Sequence, residues 1–431
     1  MNIVFLGIVF VAFASAAIRQ ILWTGGQVSP MENLSKAMIE SAGSSVELAL
    51  GLIGVMTLFL GLMKVAEAGG LLRVIAALIR PLMVKLFPEV PAHHPAMGAM
   101  ILNLSANVMG LGNAATPFGI RAMQELNTLN PRPGTATDAM ALFLAINTSS
   151  VTLLPTGVIA LRASAGSADP AGILPTTLFA TICSTAAAII AAKLYARFFR
   201  ATPANRIEKG ELADKSRTVE RPNGKTPQPS EEAYPLWVSL TAIGFLCAMI
   251  PMVVMYGKTI SPWIIPCLMA GFLIYGVVMR VRVYEVFVEG AKEGFQVAVK
   301  IIPYLVAILV AVGMFRASGS LDFMVNWLGP LTERVGLPAE ALPMALLRPL
   351  SGSGAYGVLA SIIQDPAIGP DSYIGYVVST LQGSTETTFY VLAVYFGAVQ
   401  VRRMRHTLAA ALTADLVALI ATVFICSLLY R

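Results

Sequence analysis

Four polar interruptions in an otherwise apolar chain carry the residues whose types and spacing could do chemistry. They occupy 103–117 and 147–152 in the first half of the sequence, and 348–354 and 383–388 in the second half. Polar groups at the depth of a lipid bilayer are tolerated only where protein or a wet cavity satisfies their hydrogen bonds. Two matched pairs of interruptions therefore indicate one internal polar site shared by the two halves.

Glu386 is the residue in these interruptions that is best suited to ion chemistry. It lies near the middle of an apolar run, where an ionised side chain costs at least about 2.5–3.5 kcal/mol unless it is paired or hydrated. Arg348 opens an interruption in the same half and is the candidate partner. One interpretation is a static ion pair that fixes helix packing. The other is a carboxylate that contacts a solute or a coupling ion, H⁺ or Na⁺.

The matching residues of the first half are neutral amides and hydroxyls, with Ser150 near the counterpart position of Glu386 and Asn103 near that of Arg348. A single buried Asn or Ser is equally well explained by an interhelical hydrogen bond, worth about 0.6 kcal/mol. Clustering in matched places favours a cavity that recognises a solute by hydrogen bonds. The predicted solute-binding residues are Asn103, Asn107, Asn113, Asn147, Thr148, Ser149, Ser150, Arg348, Ser351, Ser353, Ser384, Thr385, Glu386 and Thr387, with Glu386 as the coupling residue.

The sequence lacks the patterns that catalysis, metal binding or nucleotide hydrolysis requires. Its four cysteines are isolated in apolar runs, and it contains neither a phosphate-binding Gly-x-x-x-x-Gly-Lys-Ser/Thr motif nor His-Glu-x-x-His. The adjacent His93 and His94 point in different directions and form a poor metal site by themselves. We therefore predict no enzyme activity, no metal and no cofactor.

The composition indicates a polytopic helical membrane protein. The chain of 431 residues is 56% hydrophobic and only 13% charged, with a mean hydropathy of +0.72, whereas a soluble chain of this length needs far more polar surface. Most of the basic residues lie at the ends of apolar runs, so the net charge of +6 is not the footprint of a nucleic-acid partner. The expected partner is the lipid bilayer.

Apolar runs of bilayer length predict nine spans, and two interrupted segments near 97–117 and 341–360 are predicted to be re-entrant. The polar stretch 200–234 predicts a flexible linker. It separates a first repeat, 1–199, from residues 235–431, which hold a connecting helix and a second repeat. The nine predicted spans are 3–23, 46–64, 139–161, 172–198, 236–256, 262–280, 299–315, 374–398 and 407–430.

The number of spans predicts that the two repeats are inverted relative to each other. Four crossings per repeat, joined by the single helix 236–256, place the second repeat upside down in the membrane. With the N-terminus and the linker in the cytoplasm, inner segments carry twenty-two basic residues and outer segments seven. This bias agrees with the positive-inside rule. We therefore predict a multi-pass protein of the bacterial cytoplasmic (inner) membrane.

Several long motifs resemble the spore maturation proteins. Residues 94–119 and 144–150 are similar to spore maturation protein A, and 287–295, 348–355 and 383–397 to spore maturation protein B. The chain resembles a fusion of the two over nearly its whole length apart from the linker. Both are classed with the nucleoside-recognition or Gate domains, which are similar to membrane domains of concentrative nucleoside transporters and of the ferrous-iron transporter B family. The resemblance implies a transport core of inverted repeats and leaves the substrate open.

The resulting prediction is a secondary transporter that binds a small polar or anionic solute near the bilayer midplane, between two inverted repeats. A homo-oligomer is compatible with this prediction. The alternative is a scaffold or assembly factor for the cell envelope or for spore maturation that transports nothing, because polar helix interfaces also hold oligomers together.

Overall fold

The protein is all-helical, apart from one isolated β-bridge between Thr135 and Arg403, over the residues that its computed structural model describes. These are residues 2–26, 28–110, 115–199 and 234–431. The predicted linker, except for its last residue, lies outside the described residues. The helices of the first half are α1 (Asn2–Ile21), α2 (Pro30–Ala68), α3 (Leu71–Leu86), α4 (Pro95–Val108), α5 (Thr116–Thr128), α6 (Asp138–Thr148), α7 (Thr156–Ser164) and α8 (Leu174–Phe198).

The second half repeats the order of elements of the first. In both halves, a long helix is followed by a helix with an internal proline, Pro81 in α3 and Pro330 in α11. Two interrupted helix pairs and a final long apolar helix come next. The helices of this half are α9 (Leu236–Val278), α10 (Val283–Ala317), α11 (Ser320–Thr332), α12 (Leu342–Leu347), α13 (Gly352–Ile363), α14 (Tyr373–Ser384), α15 (Thr388–Ala398) and α16 (Thr407–Tyr430). The predicted fold class, an all-α membrane protein with broken helices, is confirmed.

Hydroxyl side chains set the starting points of equivalent helices in the two halves. Thr137 precedes α6 and its side chain accepts a hydrogen bond from the amide of Met140 (3.1 Å). Ser372 precedes α14 and accepts from the amide of Gly375 (3.0 Å). Such caps satisfy an amide that has no partner within the helix. The local sequence therefore fixes where both broken helices begin.

Two predicted spans form one continuous helix. The sequence gives separate crossings at 236–256 and 262–280, whereas α9 runs from Leu236 to Val278 without a break. A helix of this length is about 65 Å long, roughly twice the thickness of the hydrocarbon core. Hydropathy detects a change in polarity along a helix, but it does not detect whether the backbone hydrogen bonds continue. The connecting helix and the first span of the second repeat are therefore one element.

Two other predicted spans are broken in the middle. The span 139–161 consists of α6 and α7, which are separated by residues 149–155, and the span 374–398 consists of α14 and α15, which are separated by residues 385–387. By length and apolar composition alone, two segments of the described chain suffice to cross a membrane, Pro170–Phe198 and Thr407–Tyr430. A third qualifies if Leu305–Ala317 and Ser320–Leu328, which meet at a bend of 73°, are counted as one span.

The long helices α2 and α10 pack closely along each other. Small residues at their crossing allow the two backbones to approach. A Cβ atom at Gly294 would lie 2.7 Å from the carbonyl oxygen of Met56, closer than a side chain can come. In membranes, this kind of backbone contact replaces the hydrophobic effect as the driving force for helix association. The pair α2–α10 therefore forms a rigid support beside the broken helices.

A buried arginine joins the end of α7 to the start of α14. The Arg162 side chain is 0% exposed. Its Nη2 atom donates to Asp371 Oδ1 (2.9 Å), and its Nη1 atom donates to the carbonyl oxygen of Pro370 (2.6 Å). The guanidinium also lies over the ring of Tyr376, 4.3 Å from the ring centroid. Since Arg162 belongs to the first half and its partners to the second, this cluster joins the two halves.

A second arginine makes the reciprocal connection at the other end of the broken helices. Arg405, which follows α15, donates from Nη1 to Asp138 Oδ1 at the start of α6 (2.6 Å) and to the carbonyl oxygen of Ala136 (3.1 Å). The end of α7 thus lies beside the start of α14, and the end of α15 lies beside the start of α6. The two broken helices therefore run antiparallel, as inverted repeats require.

We expect Asp371→Asn to destabilise the protein by about 1.5–3 kcal/mol, because it weakens a charge-assisted hydrogen bond and removes the carboxylate that the buried Arg162 contacts directly. Thermal unfolding of the purified protein measures the effect. Asp365→Asn is the matched control, since Asp365 pairs with Arg316 (2.9 Å), whose side chain is 39% exposed and so keeps contact with its surroundings when the carboxylate is lost. This control should change the stability by less than about 1 kcal/mol. Equal losses in the two variants would contradict a special role for the Arg162 cluster.

A pH effect follows from His406, which immediately precedes α16. Its side chain is 1% exposed and neither ring nitrogen has a hydrogen-bond partner in the described part of the chain. Burial lowers the pKa of His406, and the charge of Arg405 lowers this pKa further, while Asp138 partly opposes the shift. The unfolded chain binds this proton at a higher pH than the folded chain, so stability falls as the pH drops below about 6.5.

We expect His406→Gln to flatten the dependence of the melting temperature on pH between about 7 and 5. Thermal unfolding over a pH series measures this dependence. His93→Gln is the control, because His93 is exposed on a loop. A slope that persists unchanged in the His406 variant would show that other groups determine the pH dependence.

Candidate functional site

The breaks of the two broken helices meet inside the molecule. The amide of Glu386, in the break between α14 and α15, donates to the carbonyl oxygen of Thr148 at the end of α6 (2.8 Å). A carbonyl at a helix end has no partner within its own helix. The break of the second half thus satisfies a backbone group that the break of the first half leaves open. The interruptions predicted from the sequence therefore come together.

Each break also bonds to an interrupted helix pair of its own half. The amide of Leu153 donates to the carbonyl oxygen of Val108 at the end of α4 (2.9 Å). The amide of Phe389 donates to the carbonyl oxygen of Pro349, between α12 and α13 (3.0 Å). Leu153 and Phe389 each lie three residues after the predicted counterparts Ser150 and Glu386. These equivalent bonds place Asn107, rather than Asn103, at the position of Arg348.

Amides and hydroxyls form a buried network in the first half. Asn107 Nδ2 donates to Asn147 Oδ1 (3.0 Å), and Asn147 Nδ2 donates to the carbonyl oxygen of Phe143 (2.9 Å). The hydroxyl of Thr185, on α8, donates to the carbonyl oxygen of Ser149 in the break. These bonds hold Asn147 and the break in place, so part of the predicted lining is structural.

Asn103 connects the first half to the second. Its Nδ2 atom donates to the carbonyl oxygen of Ala115 (2.8 Å) and to the hydroxyl of Tyr395 on α15 (3.3 Å). Its Oδ1 atom is buried and has no hydrogen-bond partner among the described residues. Asn103 therefore lies beside the second half with one acceptor unused.

Arg348 and Glu386 do not form the static ion pair that the sequence left open. Arg348 is 6% exposed, and its Nη1 atom donates to Thr387 Oγ1 (3.1 Å). In the part of the chain that the structure describes, no carboxylate lies within 4.0 Å of its guanidinium. The side chain of Glu386 is exposed. The arginine is thus buried without direct neutralisation, while the carboxylate remains accessible.

The other predicted residues lie at the same breaks. Ser351 caps α13 by accepting from the amide of Gly354 (3.0 Å), and Ser353 Oγ lies 3.5 Å from Ser351 Oγ. The hydroxyls of Thr148 and Ser384 each donate to a carbonyl within their own helix, the hydroxyl of Ser149 donates to the carbonyl of Ala145 in α6, and Ser150 and Thr385 are buried. Asn113 lies outside the described residues.

Sequence reasoning missed Asp415, which lies on α16 behind the break of the second half. Its Oδ2 atom accepts a hydrogen bond from the Thr388 hydroxyl (2.7 Å). Its Oδ1 atom is buried and unpartnered within the described chain. The signal was present, because an acidic residue inside the predicted span 407–430 meets the same criterion that selected Glu386. The site therefore includes a second acidic group.

The described residues hold no group of three or more His, Cys, Asp or Glu side chains that could bind a metal ion. The ligands that the site offers are amides, hydroxyls, one guanidinium and two carboxyl groups. Such a set has the chemistry to bind a polar solute through hydrogen bonds and charge.

We expect Thr388→Val to destabilise the protein by about 1.5–3 kcal/mol, because it removes the only hydrogen bond that the described chain gives the Asp415 carboxyl group. Thermal unfolding measures the loss. Adding Asp415→Leu should recover part of it, since no buried oxygen is then left unpaired. The control is Ser427→Ala, at an exposed position on α16, the helix that carries Asp415. It should change the stability by less than about 0.5 kcal/mol. A Thr388 variant as stable as this control would remove Asp415 from the site.

Known proteins similar to this chain include two from Bacillus subtilis (strain 168). Its spore maturation protein B is 49% identical over 166 residues, which are 38% of this chain and 92% of that protein. Its spore maturation protein A is 44% identical over 160 residues, which are 37% of this chain and 82% of that protein. Inner membrane protein YjiG of Escherichia coli (strain K12) is 33% identical over 85 residues, 20% of this chain and 56% of that protein.

Among solved structures, the chain is similar to CNTnw in an inward-facing substrate-bound state. The TM-score is 0.45 at 14% sequence identity, over 99% of this chain and 90% of the other. A CNTnw variant in an outward-facing state gives the same TM-score at 12% identity, over 100% of this chain and 99% of the other.

The Gate family, described as nucleoside recognition, matches residues 49–165 and 298–402. The first range includes α4–α7 and the second includes α12–α15, so both matches contain the elements that form the site. Together they cover more than half of the sequence. The chain therefore belongs to the Gate (nucleoside recognition) family.

Proposed function

We propose that the protein is a secondary transporter that binds a small polar solute where its two broken helices meet. The observation that carries this proposal is the hydrogen bond from the Glu386 amide to the Thr148 carbonyl. It brings together two chain breaks that are rich in polar groups, one from each half. Irregular backbone at membrane depth is expected only where it is buried in protein or lines a cavity, and transporters use such breaks for binding.

Unpaired buried atoms at the breaks support a ligand. Asn103 Oδ1, Arg348 Nε, Gln382 Oε1 and Asp415 Oδ1 are buried and have no partner within the described residues. Each such atom costs about 1–3 kcal/mol unless water or a ligand completes its hydrogen bonds. Several of them around one pair of breaks are explained by a polar molecule that occupies the region during transport.

The similar proteins suggest which solutes to test first and in which membrane the protein acts. The family description, nucleoside recognition, makes nucleosides the first solutes to test. Similarity to an E. coli inner membrane protein supports the bacterial cytoplasmic membrane. A cytoplasmic N-terminus and linker, predicted from the basic residues of the sequence, stay part of the proposal. We retain the division into repeats at 1–199 and 235–431 as part of the proposal.

Glu386 is the proposed coupling residue. Its backbone holds the two breaks together, while its side chain is exposed and forms no ion pair within the described chain. A carboxylate in this position can exchange H⁺ or Na⁺ and respond to the solute beside it. The ion and the solute would then share one site.

The rival function is a membrane scaffold or assembly factor, which the names of the spore maturation relatives favour. Solute flux in proteoliposomes distinguishes the two functions. The solute comes from a thermal-stabilisation screen of the purified protein against nucleosides, amino acids, metal ions and cell-wall precursors. A transporter moves the stabilising compound across the bilayer, whereas a scaffold gives no flux above protein-free liposomes.

We expect Glu386→Gln to abolish flux or to uncouple it from the H⁺ or Na⁺ gradient, while expression and melting temperature stay near those of the unmodified protein. The amide keeps the size of the side chain but removes the charge. Glu285→Gln, at an exposed position on α10, is the control and should transport normally. Normal flux with an unchanged ion dependence in the Glu386 variant would refute the coupling role.

A further inference from the structure

The start of helix α13 and the side chain of Arg348 face the same space. Ser351 caps this twelve-residue helix, and its hydroxyl takes the amide of Gly354. The amides of Gly352 and Ser353 precede the first possible intrahelical bonds and remain available as donors. A Cβ atom built on Gly352 would lie 4.0 Å from Arg348 Nη1, so the guanidinium lies beside the first turn. The helix dipole adds partial positive charge at this end.

Arg348 lacks the partners that a buried arginine normally has. A guanidinium carries five N–H donors. At 6% exposure, Arg348 donates to Thr387 Oγ1, and its Nε atom has no acceptor within the described chain. The Nε atom of Arg162, the other buried arginine of the two broken-helix regions, is also without a partner there, but its Nη atoms contact a carboxylate and two carbonyl groups. A buried charge that is left unpaired destabilises a protein strongly. An anionic ligand would supply what Arg348 lacks.

The position that a side chain at Gly352 would take is occupied by the Thr387 hydroxyl, which also accepts the hydrogen bond from Arg348. A Cβ atom there would lie 2.8 Å from Thr387 Oγ1, too close for ordinary contact. Gly352 and Ser353 are both partly exposed, so a small ligand can reach the turn. The hydroxyl of Ser353 lies at the same turn and adds a further donor. An anion would therefore approach the backbone amides from the exposed side of this turn, next to the Thr387 hydroxyl.

Glu386 lies in the break between α14 and α15, and Asp415 lies beside it on α16. Their carboxyl groups affect the charge that a ligand of this site can carry. Asp415 bonds to Thr388, and the side chain of Glu386 is exposed. Neither lies within 4.0 Å of the Arg348 guanidinium. The equivalent interruption of the first half, 103–117, contains no Lys or Arg in its sequence. Among the described residues, the site is therefore asymmetric, with the basic side chain of Arg348 in the second half and neutral groups at the matching position of the first half.

We propose that Arg348 and the first turn of α13 form an anion-binding cradle, and that the transported solute carries a carboxylate or phosphate group that binds there. The proposal rests on the proposed transport function and makes it more specific. Two backbone amides, the Ser353 hydroxyl and a guanidinium give the donor set that helix N-termini and arginine offer to anionic oxygens. The neutral part of the solute then faces the amides and hydroxyls of the first half.

The shift in melting temperature of the purified protein measures the binding of added compounds. The compounds are chosen as pairs in which one member carries an anionic group and the other does not. The pairs are uridine with uridine 5′-monophosphate and acetamide with acetate, and inorganic phosphate is tested alone, all at constant ionic strength. We expect at least one anionic probe to stabilise the protein more than its neutral counterpart. The phosphate and carboxylate probes distinguish the two anion classes. No preference for any anionic probe would overturn the proposal.

Substitutions of Arg348 assign the preference to the cradle. Arg348→Gln should weaken the apparent affinity for the anionic probe at least about tenfold, because it removes a charged hydrogen-bond donor. Arg348→Lys keeps the charge and should retain part of the affinity, which gives a result even if the glutamine variant folds poorly. Arg334→Gln, at an exposed position on another segment, is the control. Unchanged anion binding in the glutamine variant would overturn the proposal.

Anion binding by the cradle and solute transport are separate proposals, and the experiments show which of them fails. If the unmodified protein binds an anionic probe through Arg348 but gives no flux in proteoliposomes, the cradle stands and the transport function fails. If the protein transports a neutral solute and Arg348→Gln transports it at the normal rate, the transport function stands and the cradle fails.

Discussion

The structure depends on the hydrogen-bonding requirement of a helix that stops inside a membrane. Lipid offers no donors or acceptors, so the backbone groups released at a break must find partners within the protein. Here the break after α14 supplies an amide to the carbonyl group at the end of α6, through Glu386 and Thr148. Further bonds tie each break to an interrupted helix pair of its own half. Neither half can satisfy its broken helix alone, so the two halves fold as one unit.

The reciprocal arginine clusters follow from the same antiparallel arrangement. Arg162 binds Asp371 at one end of the broken helices, and Arg405 binds Asp138 at the other. Each cluster joins a residue of one half to the start of a broken helix in the other half. Together with the hydrogen bond from the Glu386 amide to the Thr148 carbonyl, they connect the two broken helices at both ends and in the middle. Separating the two broken helices would expose the buried Arg162 to lipid or water.

The two halves have a similar backbone arrangement at the candidate site, but their side chains there carry different charges. The interruption of the first half offers neutral amides, with Asn107 at the position that Arg348 takes in the second half. Residues of the second half add a buried guanidinium, the exposed Glu386 and the partly buried Asp415. Three ionisable groups without mutual ion pairs cost free energy in a membrane, and such groups are expected where ligands or coupling ions bind. This inequality places the charged side chains of the candidate site in the second half of a scaffold whose two halves have the same order of elements.

The sequence by itself determined the helical membrane class, the repeated order of elements and the location of the polar breaks. Composition and the polarity of short segments decide these features locally. The tertiary structure alone decided that 236–278 is one helix, that Arg348 and Glu386 do not pair, that Asn107 takes the place assigned to Asn103, and that Asp415 joins the site. Each of these depends on backbone hydrogen bonds or on contacts between residues distant in the chain. Hydropathy records the polarity of each residue, but only the packed chain determines which polar groups meet.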